Sequence, residues 1–363
     1  MPDAIWLDLL DDDTFLRLSA DAASLKQIVE AADAGRWIVI DEVQRLPKLL
    51  DVVHQLLTTH PDDYRFALSG SSARKLRRLN SNLLAGRAIE RSFFPLTATE
   101  IGDTYSIDRA LDTGTLPLIW TQPASAVDRL KAYVNVYLKQ EIQQEAMVND
   151  IASFSRFLRA ASILNGHALN YSNISRDAGV SRSVVERYFS ILVDTLIGFW
   201  LPAWQPKATV KEVAKPKFFF FDCGVVRACA NRLGLPLSAE ERGFLLETLI
   251  VGEIRAYLNA SNAVHGELSY WKSGSGNEVD LIWSWGDTHI GIEIKSSKTW
   301  KPGFERGLRT LLSRGKLSKA IGIYMGAQPL RQGDISIYPA TDFIHRLHKG
   351  ELLTPNRVVK EGG

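Results

Sequence analysis

Sulfur is scarce in this chain: two cysteines and three methionines among 363 residues. Cys223 and Cys229 lack the paired spacing of a zinc site and are too few for a disulfide framework, so a reducing, cytoplasmic setting is expected. No apolar run is long enough to span a membrane. The first thirteen residues carry acids and no basic stretch, unlike a secretory signal. Internal repeats and low-complexity tracts are also lacking. Charge of either sign is not in excess: the net charge is +2 and the pI about 8.4, a balance that neither selects nor excludes nucleic acid. The most consequential absence is the phosphate-binding loop. Gly-x-x-x-x-Gly-Lys-[Ser/Thr] occurs nowhere, and Gly315-Lys316 has neither the earlier glycine nor the following hydroxyl. Without that backbone cradle and its lysine, triphosphate affinity is expected to be poor.

What is present supports folded domains. The chain is 45% hydrophobic, and its length suits two or three domains. Ile5 to Leu18 mixes apolar and acidic residues and reads as a loop between short elements. Ala22 to Ala32 has helical spacing, and Leu49 to Leu57 reads as an amphipathic helix. Trp37 to Ile40 and Arg65 to Leu68 are apolar runs of the kind found in strands buried on both faces. Helices alternating with such strands imply a parallel α/β sheet.

From Val127 to Leu164 only helical periodicity is visible. Tyr171 to Leu201 then has the layout of a helix-turn-helix: Ser172 or Asn173 as the cap of a first helix ending at Ala178, a turn at Gly179-Val180, and Ser181 capping a second helix through Val193. Gly198 to Phe221 reads as a hairpin with a basic tip. Helix-turn-helix plus hairpin is a winged helix. Glu240 to Leu258 is expected as an amphipathic helix, followed by strands at Leu268 to Trp271, Val279 to Trp285 and Ile290 to Ile294. A basic helix near Phe304 to Leu312 and strands at Ala320 to Met325 and Ile335 to Tyr338 complete the αβββαβ order of a restriction-endonuclease-like fold. The expected class is thus α/β and multidomain, with boundaries at residues 1–104, 105–235 and 236–350.

Three sets of residues carry chemistry. Asp280, followed by Glu293 and Lys295 on the next strand, is the spacing with which such a fold holds Mg²⁺ against a phosphodiester. The carboxylates supply hard oxygens, and the ammonium steadies charge developing on the phosphate. Glu247 on the preceding helix is a fitting fourth member and Glu253 a weaker one. The bland alternative is a pair of strand-end acids in water. In the N-terminal region, Asp41-Glu42 ends a buried strand as a Walker B pair does, one acid for Mg²⁺ and one to polarise water. Ser71 in Ser69-Gly-Ser-Ser would sense a γ-phosphate, and Arg87 would serve as an arginine finger. Each of these is weak alone, since acids often end strands. In the middle, Arg182 and Arg187 on the second helix, with Lys207, Lys211, Lys215 and Lys217 on the hairpin, suit duplex DNA. A docking module between domains is the competing reading. The run Arg74-Lys-Leu-Arg-Arg reads as a solvated face.

Taken together, Trp37-Ile-Val-Ile-Asp-Glu-Val-Gln-Arg-Leu-Pro, Leu68-Ser-Gly-Ser-Ser, Leu84-Ala-Gly-Arg, Phe94-Pro-Leu-Thr-Ala-Thr-Glu, the Tyr171 to Leu196 segment, Phe219-Phe-Phe-Asp-Cys-Gly-Val-Val, and Glu278-Val-Asp with Ile292-Glu-Ile-Lys resemble prokaryotic AAA-type ATPases joined to a C-terminal domain of unknown function, number 4143. The resemblance covers nearly the whole chain. It implies an ATP-binding module, a winged helix and a nuclease-like terminal domain, with ATP and Mg²⁺ as cofactors. It also implies oligomers, because an Arg87 finger would act on a neighbouring subunit. Family members begin with a strand and phosphate-binding loop that this chain lacks, so a truncated start is expected rather than a degenerate relative. Three functions remain open: an Mg²⁺-dependent nuclease acting on DNA, a non-catalytic DNA- or protein-binding module, and a nucleotide-driven switch.

Overall fold

A computed structural model describes residues 3–60, 62–70, 88–138, 150–205, 215–261 and 266–353. The chain divides into two compact units, Met1–Glu90 and Arg91–Gly363. The first is built on three parallel strands, β1 (Ile5–Asp8), β2 (Trp37–Asp41) and β3 (Arg65–Leu68), in the order β1-β2-β3. Helices α1 (Asp12–Ala20), α2 (Ser24–Glu30) and α3 (Lys48–Thr59) accompany them. Leu18, Leu25, Val29, Ile38, Ile40, Leu49, Leu50 and Val53 form its core. A parallel α/β layer was the expectation here, and the sheet meets it.

Two local expectations fail in this unit. The acidic stretch after Ile5 is not a loop: it is a strand followed by a helix. Asp11 caps α1 by accepting a hydrogen bond from the Thr14 N–H at 2.9 Å. Asp12 and Asp13 then fall in the first turn, where the helix dipole favours negative charge. The acids thus start a helix instead of interrupting one. And β3 is only half-buried, with Arg65 exposed, because it lies at one edge of the described sheet.

The second unit opens with short helices, Ala98–Ile101, Ile107–Thr113, Pro117–Thr121 and Ala126–Ala132. Next come α4 (Ile151–Ile163), α5 (Tyr171–Ala178) and α6 (Arg182–Asp194), then the antiparallel strands β4 (Gly198–Leu201) and β5 (Lys217–Phe220). The α5–α6 turn is closed by Gly179 at φ +67°, a left-handed cap that a side chain would strain. The cap of α5 is Asn170, which accepts from the Ser172 N–H at 3.1 Å, rather than Ser172 or Asn173. Ser181 does precede α6, but its hydroxyl makes no capping bond.

Helix Cys223–Cys229 leads to α7 (Ala239–Ala260). A six-stranded mixed sheet follows: β6 (Glu267–Lys272), β7 (Glu278–Trp285), β8 (Thr288–Lys295), β9 (Lys319–Tyr324), β10 (Leu330–Gln332) and β11 (Ile335–Pro339), ordered β10-β11-β9-β8-β7-β6. Helix α8 (Arg306–Ser313) precedes β9, and α9 (Ala340–His348) follows β11. Strands β8, β9 and β11 run parallel; β6, β7 and β10 are antiparallel to their neighbours.

This sheet buries both faces. Leu281, Trp283, Ile290, Ile292 and Ile294 join a large core that also holds Phe154, Phe157, Phe189 and Phe218 to Phe220 from the preceding segment. Val279, Ile282, Leu308, Leu311 and Ile337 form a smaller core under α8. Helix α7 packs against β8, α9 and helix Ile107–Thr113. It therefore buries most of its circumference, Leu245, Leu246, Leu249, Ile250, Val251 and Ile254 among others, where a single apolar stripe was expected.

Candidate functional site

The antiparallel register of β7 and β8 opposes Leu281 to Ile292, which sets Asp280 next to Glu293 across the strands. Asp280 is 8% exposed and Glu293 5%. Period-two alternation puts Lys295 on the same face as Glu293. Its ammonium lies 2.5 Å from Glu293 Oε1 and 3.3 Å from Asp280 Oδ2. Asp280 Oδ2 also accepts from the Ile294 N–H at 2.7 Å, fixing that carboxylate against the backbone of the neighbouring strand. The structure thus brings three of the expected residues together. Glu293 Oε2 is buried and has no hydrogen-bond partner.

Glu247 reaches this group from α7 electrostatically. Burial, and next the charge of Asp280, push its carboxyl up to about 8. Burial and then Asp280 likewise raise the Glu293 carboxyl well above the ordinary carboxylate range. Burial works against the charge on Lys295, but Asp280 and Glu293 outweigh it and hold the ammonium's pKa above its usual value. The carboxylates are crowded more than their lysine partner compensates.

Glu253 goes elsewhere. It accepts from the Ala98 N–H at 2.9 Å and pairs with His348 Nε2 of α9 at 2.6 Å. It ties three segments together and takes no part in the cluster.

Among the described residues, no three His, Cys, Asp or Glu side chains gather closely enough to hold a metal ion by themselves. The donor chemistry still suits Mg²⁺, which takes one or two carboxylates and completes its shell with water and phosphate oxygens. Asp280 and Glu293 are such a pair, and the unpartnered Glu293 Oε2 is a free hard donor.

In the first unit, Asp41 ends β2. Its Oδ1 accepts from the Glu42 N–H at 3.1 Å and from the Ser69 hydroxyl. Strands β2 and β3 pair Ile40 with Leu68, so the acid and the Ser69-Gly70 turn meet at one strand end. Glu42 takes φ 56°, a left-handed conformation uncommon for a residue with a side chain. Ser71 and Arg87 lie outside the described residues, as does the basic run at 74–78.

On α6, Arg182 pairs with Glu186 at 2.9 Å and stacks over Tyr171 at 5.7 Å. Arg187 stacks over its neighbour Tyr188 at 5.9 Å. Lys207 and Lys211 lie outside the described residues. Lys217, counted in the sequence with the basic hairpin, is no surface cation: it is 5% exposed and its ammonium lies 2.5 Å from Glu278 Oε1. Nothing local foretold this. Position 217 starts a strand, and the ion-pair partner of its side chain, Glu278, is 61 residues away.

Comparison with known proteins supplies three family matches: an AAA domain at residues 3–102, a domain of unknown function, number 8612, at 105–236, and a domain of unknown function, number 4143, at 242–343. Uncharacterised proteins of Mycobacterium tuberculosis and Mycobacterium bovis are each 27% identical over 331 residues, covering 88% of this chain and 70% of theirs. A crystal structure of a Vibrio cholerae protein aligns over 87% of this chain and 89% of its own at 12% identity, with a TM-score of 0.23, a likeness too slight to carry weight.

Proposed function

From a chain that joins an AAA domain to the domain of unknown function 4143, we propose a DNA-processing protein whose C-terminal sheet hydrolyses phosphodiester bonds with Mg²⁺. The observation that carries this reading is the Asp280, Glu293 and Lys295 group: two buried carboxylates and an ammonium on adjacent strands, with a buried carboxylate oxygen unpartnered. Asp280 and Glu293 would hold the cation. When bound, Mg²⁺ lowers the pKa of a coordinated water and neutralises phosphate charge. Lys295, held charged by its two acids, steadies negative charge arising on the attacked phosphate. Glu247, protonated near neutral pH by its burial and then by the charge of Asp280, donates or takes a proton beside that group. In this reading the α4 to α6 helices with β4 and β5 act as a winged helix, presenting Arg182 and Arg187 to duplex DNA. The C-terminal sheet with α7 and α8 is a restriction-endonuclease-like domain.

The test is incubation of the protein with linear and circular DNA and Mg²⁺. Cleavage that Asp280→Ala abolishes is expected. No cleavage by the wild type overturns the catalytic reading. One observation favours a binding-only alternative: Lys295 already pairs with both carboxylates, which gives the group a counter-charge of its own. A salt-sensitive shift of duplex DNA that Glu293→Ala leaves intact, and that loss of Arg182 and Arg187 removes, would support that alternative.

The nucleotide role rests on the AAA domain match. Asp41, bonded to Ser69, would take the Mg²⁺ of a bound ATP, with Glu42 beside it to polarise water.

A further inference from the structure

The C-terminal sheet carries a second cation that comes from outside it. Lys217 starts β5, opposite Leu201 in the two-stranded pair, yet its side chain runs to β7. Its ammonium lies 2.5 Å from Glu278 Oε1 and 5.0 Å over the ring of Tyr270. Glu278 precedes Asp280 by two residues on one strand and shares its face. Burial opposes the charge on Lys217, but Glu247, Asp280 and Glu278 together more than restore it. The lysine therefore sits within the field of the same acids as Lys295.

The backbone fixes this reach. Beyond β4, the Pro202 carbonyl accepts from the Tyr270 N–H at 2.9 Å, and the Trp204 N–H donates to the Tyr270 carbonyl at 2.6 Å. The Tyr270 hydroxyl donates to the Lys215 carbonyl at 2.5 Å. The base of the two-stranded element is stitched to the edge strand β6, which holds the backbone next to Lys217 beside that sheet.

We propose that Lys217 is a positioning residue of the carboxylate site: by pairing with Glu278, two residues before Asp280 on β7, it sets the charge beside the Asp280 and Glu293 pair, where a divalent cation would bind. This rests on the metal-site reading above. It also makes β5 part of the site, so that the element read as DNA-facing and the element read as metal-holding share one side chain. A buried cation near a metal repels it. Removing the charge therefore raises metal affinity, whereas loss of a purely structural lysine lowers it by loosening the ligands.

The experiment is titration of the full chain with Mn²⁺, followed by calorimetry, for the wild type, Lys217→Met and Lys217→Arg. The expected result is roughly tenfold tighter Mn²⁺ binding by Lys217→Met and wild-type binding by Lys217→Arg. Unchanged or weaker binding by a folded Lys217→Met overturns the proposal and leaves the metal-site reading standing. Wild-type protein that takes up no Mn²⁺ overturns that reading and this proposal with it. Should Lys217→Met fail to fold, Glu278→Gln decides. It removes an acid and leaves the lysine unpaired, so severalfold weaker Mn²⁺ binding supports the proposal and unchanged binding overturns it.

Discussion

Asp222 shows how one buried side chain links segments remote in sequence. It caps helix Cys223–Cys229 through the Val225 N–H at 3.0 Å and accepts from the Thr115 N–H at 2.8 Å. Asp222→Ala leaves both donors buried without a partner and is expected to destabilise the second unit by about 2 to 4 kcal/mol, read from the urea midpoint. Burial also pushes this carboxyl up to about 6. The folded chain keeps the proton to near that pH, while the unfolded chain loses it near pH 4. The associated stability is therefore full below about pH 4 and is lost as pH rises through about 6. Asp222→Asn removes this dependence, so the stability difference between wild type and variant should shift by roughly 2 to 3 kcal/mol across that window. For Glu247, raised to about 8, the folded state likewise holds a proton that the unfolded state gives up in the ordinary carboxylate range. A cation at the site competes with that proton. Mn²⁺ affinity should rise as pH increases from about 6.5 to about 8.5, and Glu247→Gln should flatten the rise. Affinity that is independent of pH would remove Glu247 from the site.

At the scale of elements, the approach of α8 to β7 is set by one glycine. A Cβ at Gly307 would lie 2.0 Å from the Glu278 carbonyl oxygen and 2.8 Å from Val279 Cγ2. Since the first of these is backbone, the helix must move. Gly307→Ala is expected to cost about 1 to 3 kcal/mol in thermal or urea unfolding, and to disturb the carboxylate group because Glu278 and Asp280 share the displaced strand. Much of this architecture was legible. The apolar runs at Trp37, Val279, Ile290 and Ala320 mark strands because sheets covered on both faces admit few polar residues. Strand β10 and helix α9 were missed. The exposed Leu330 and Arg331 of the three-residue β10 give no burial pattern to read, and α9 begins straight after β11, at Ala340 following Pro339. The α5 cap was misplaced by two to three residues, because Asn, Ser and Ser-Asn neighbours all satisfy the same local preference and only the backbone geometry selects one.

On the scale of the whole molecule, two units with separate cores divide near Glu90. A fragment beginning at Arg91 is expected to unfold cooperatively on its own and, on the proposed metal-site reading, to match the full chain in Mn²⁺ titration; a fragment that remains unfolded would show that the second unit depends on the first. The 363-residue chain is also expected to bind ATP more weakly than micromolar, since no glycine-rich loop in it wraps a triphosphate. Calorimetric detection of micromolar binding would mean that other backbone amides take over that task.

Sequence by itself determined most of the long elements and the spacing of Asp280, Glu293 and Lys295, because strand alternation and short spacing are local and survive in any fold that keeps the two strands paired. Tertiary structure alone decided the rest of the site. It sent Glu253 to His348, kept Glu247 with the acids, and buried Lys217 among them. Those outcomes depend on which surfaces lose water together, and desolvation of a charge is settled by neighbours that lie tens of residues away along the chain.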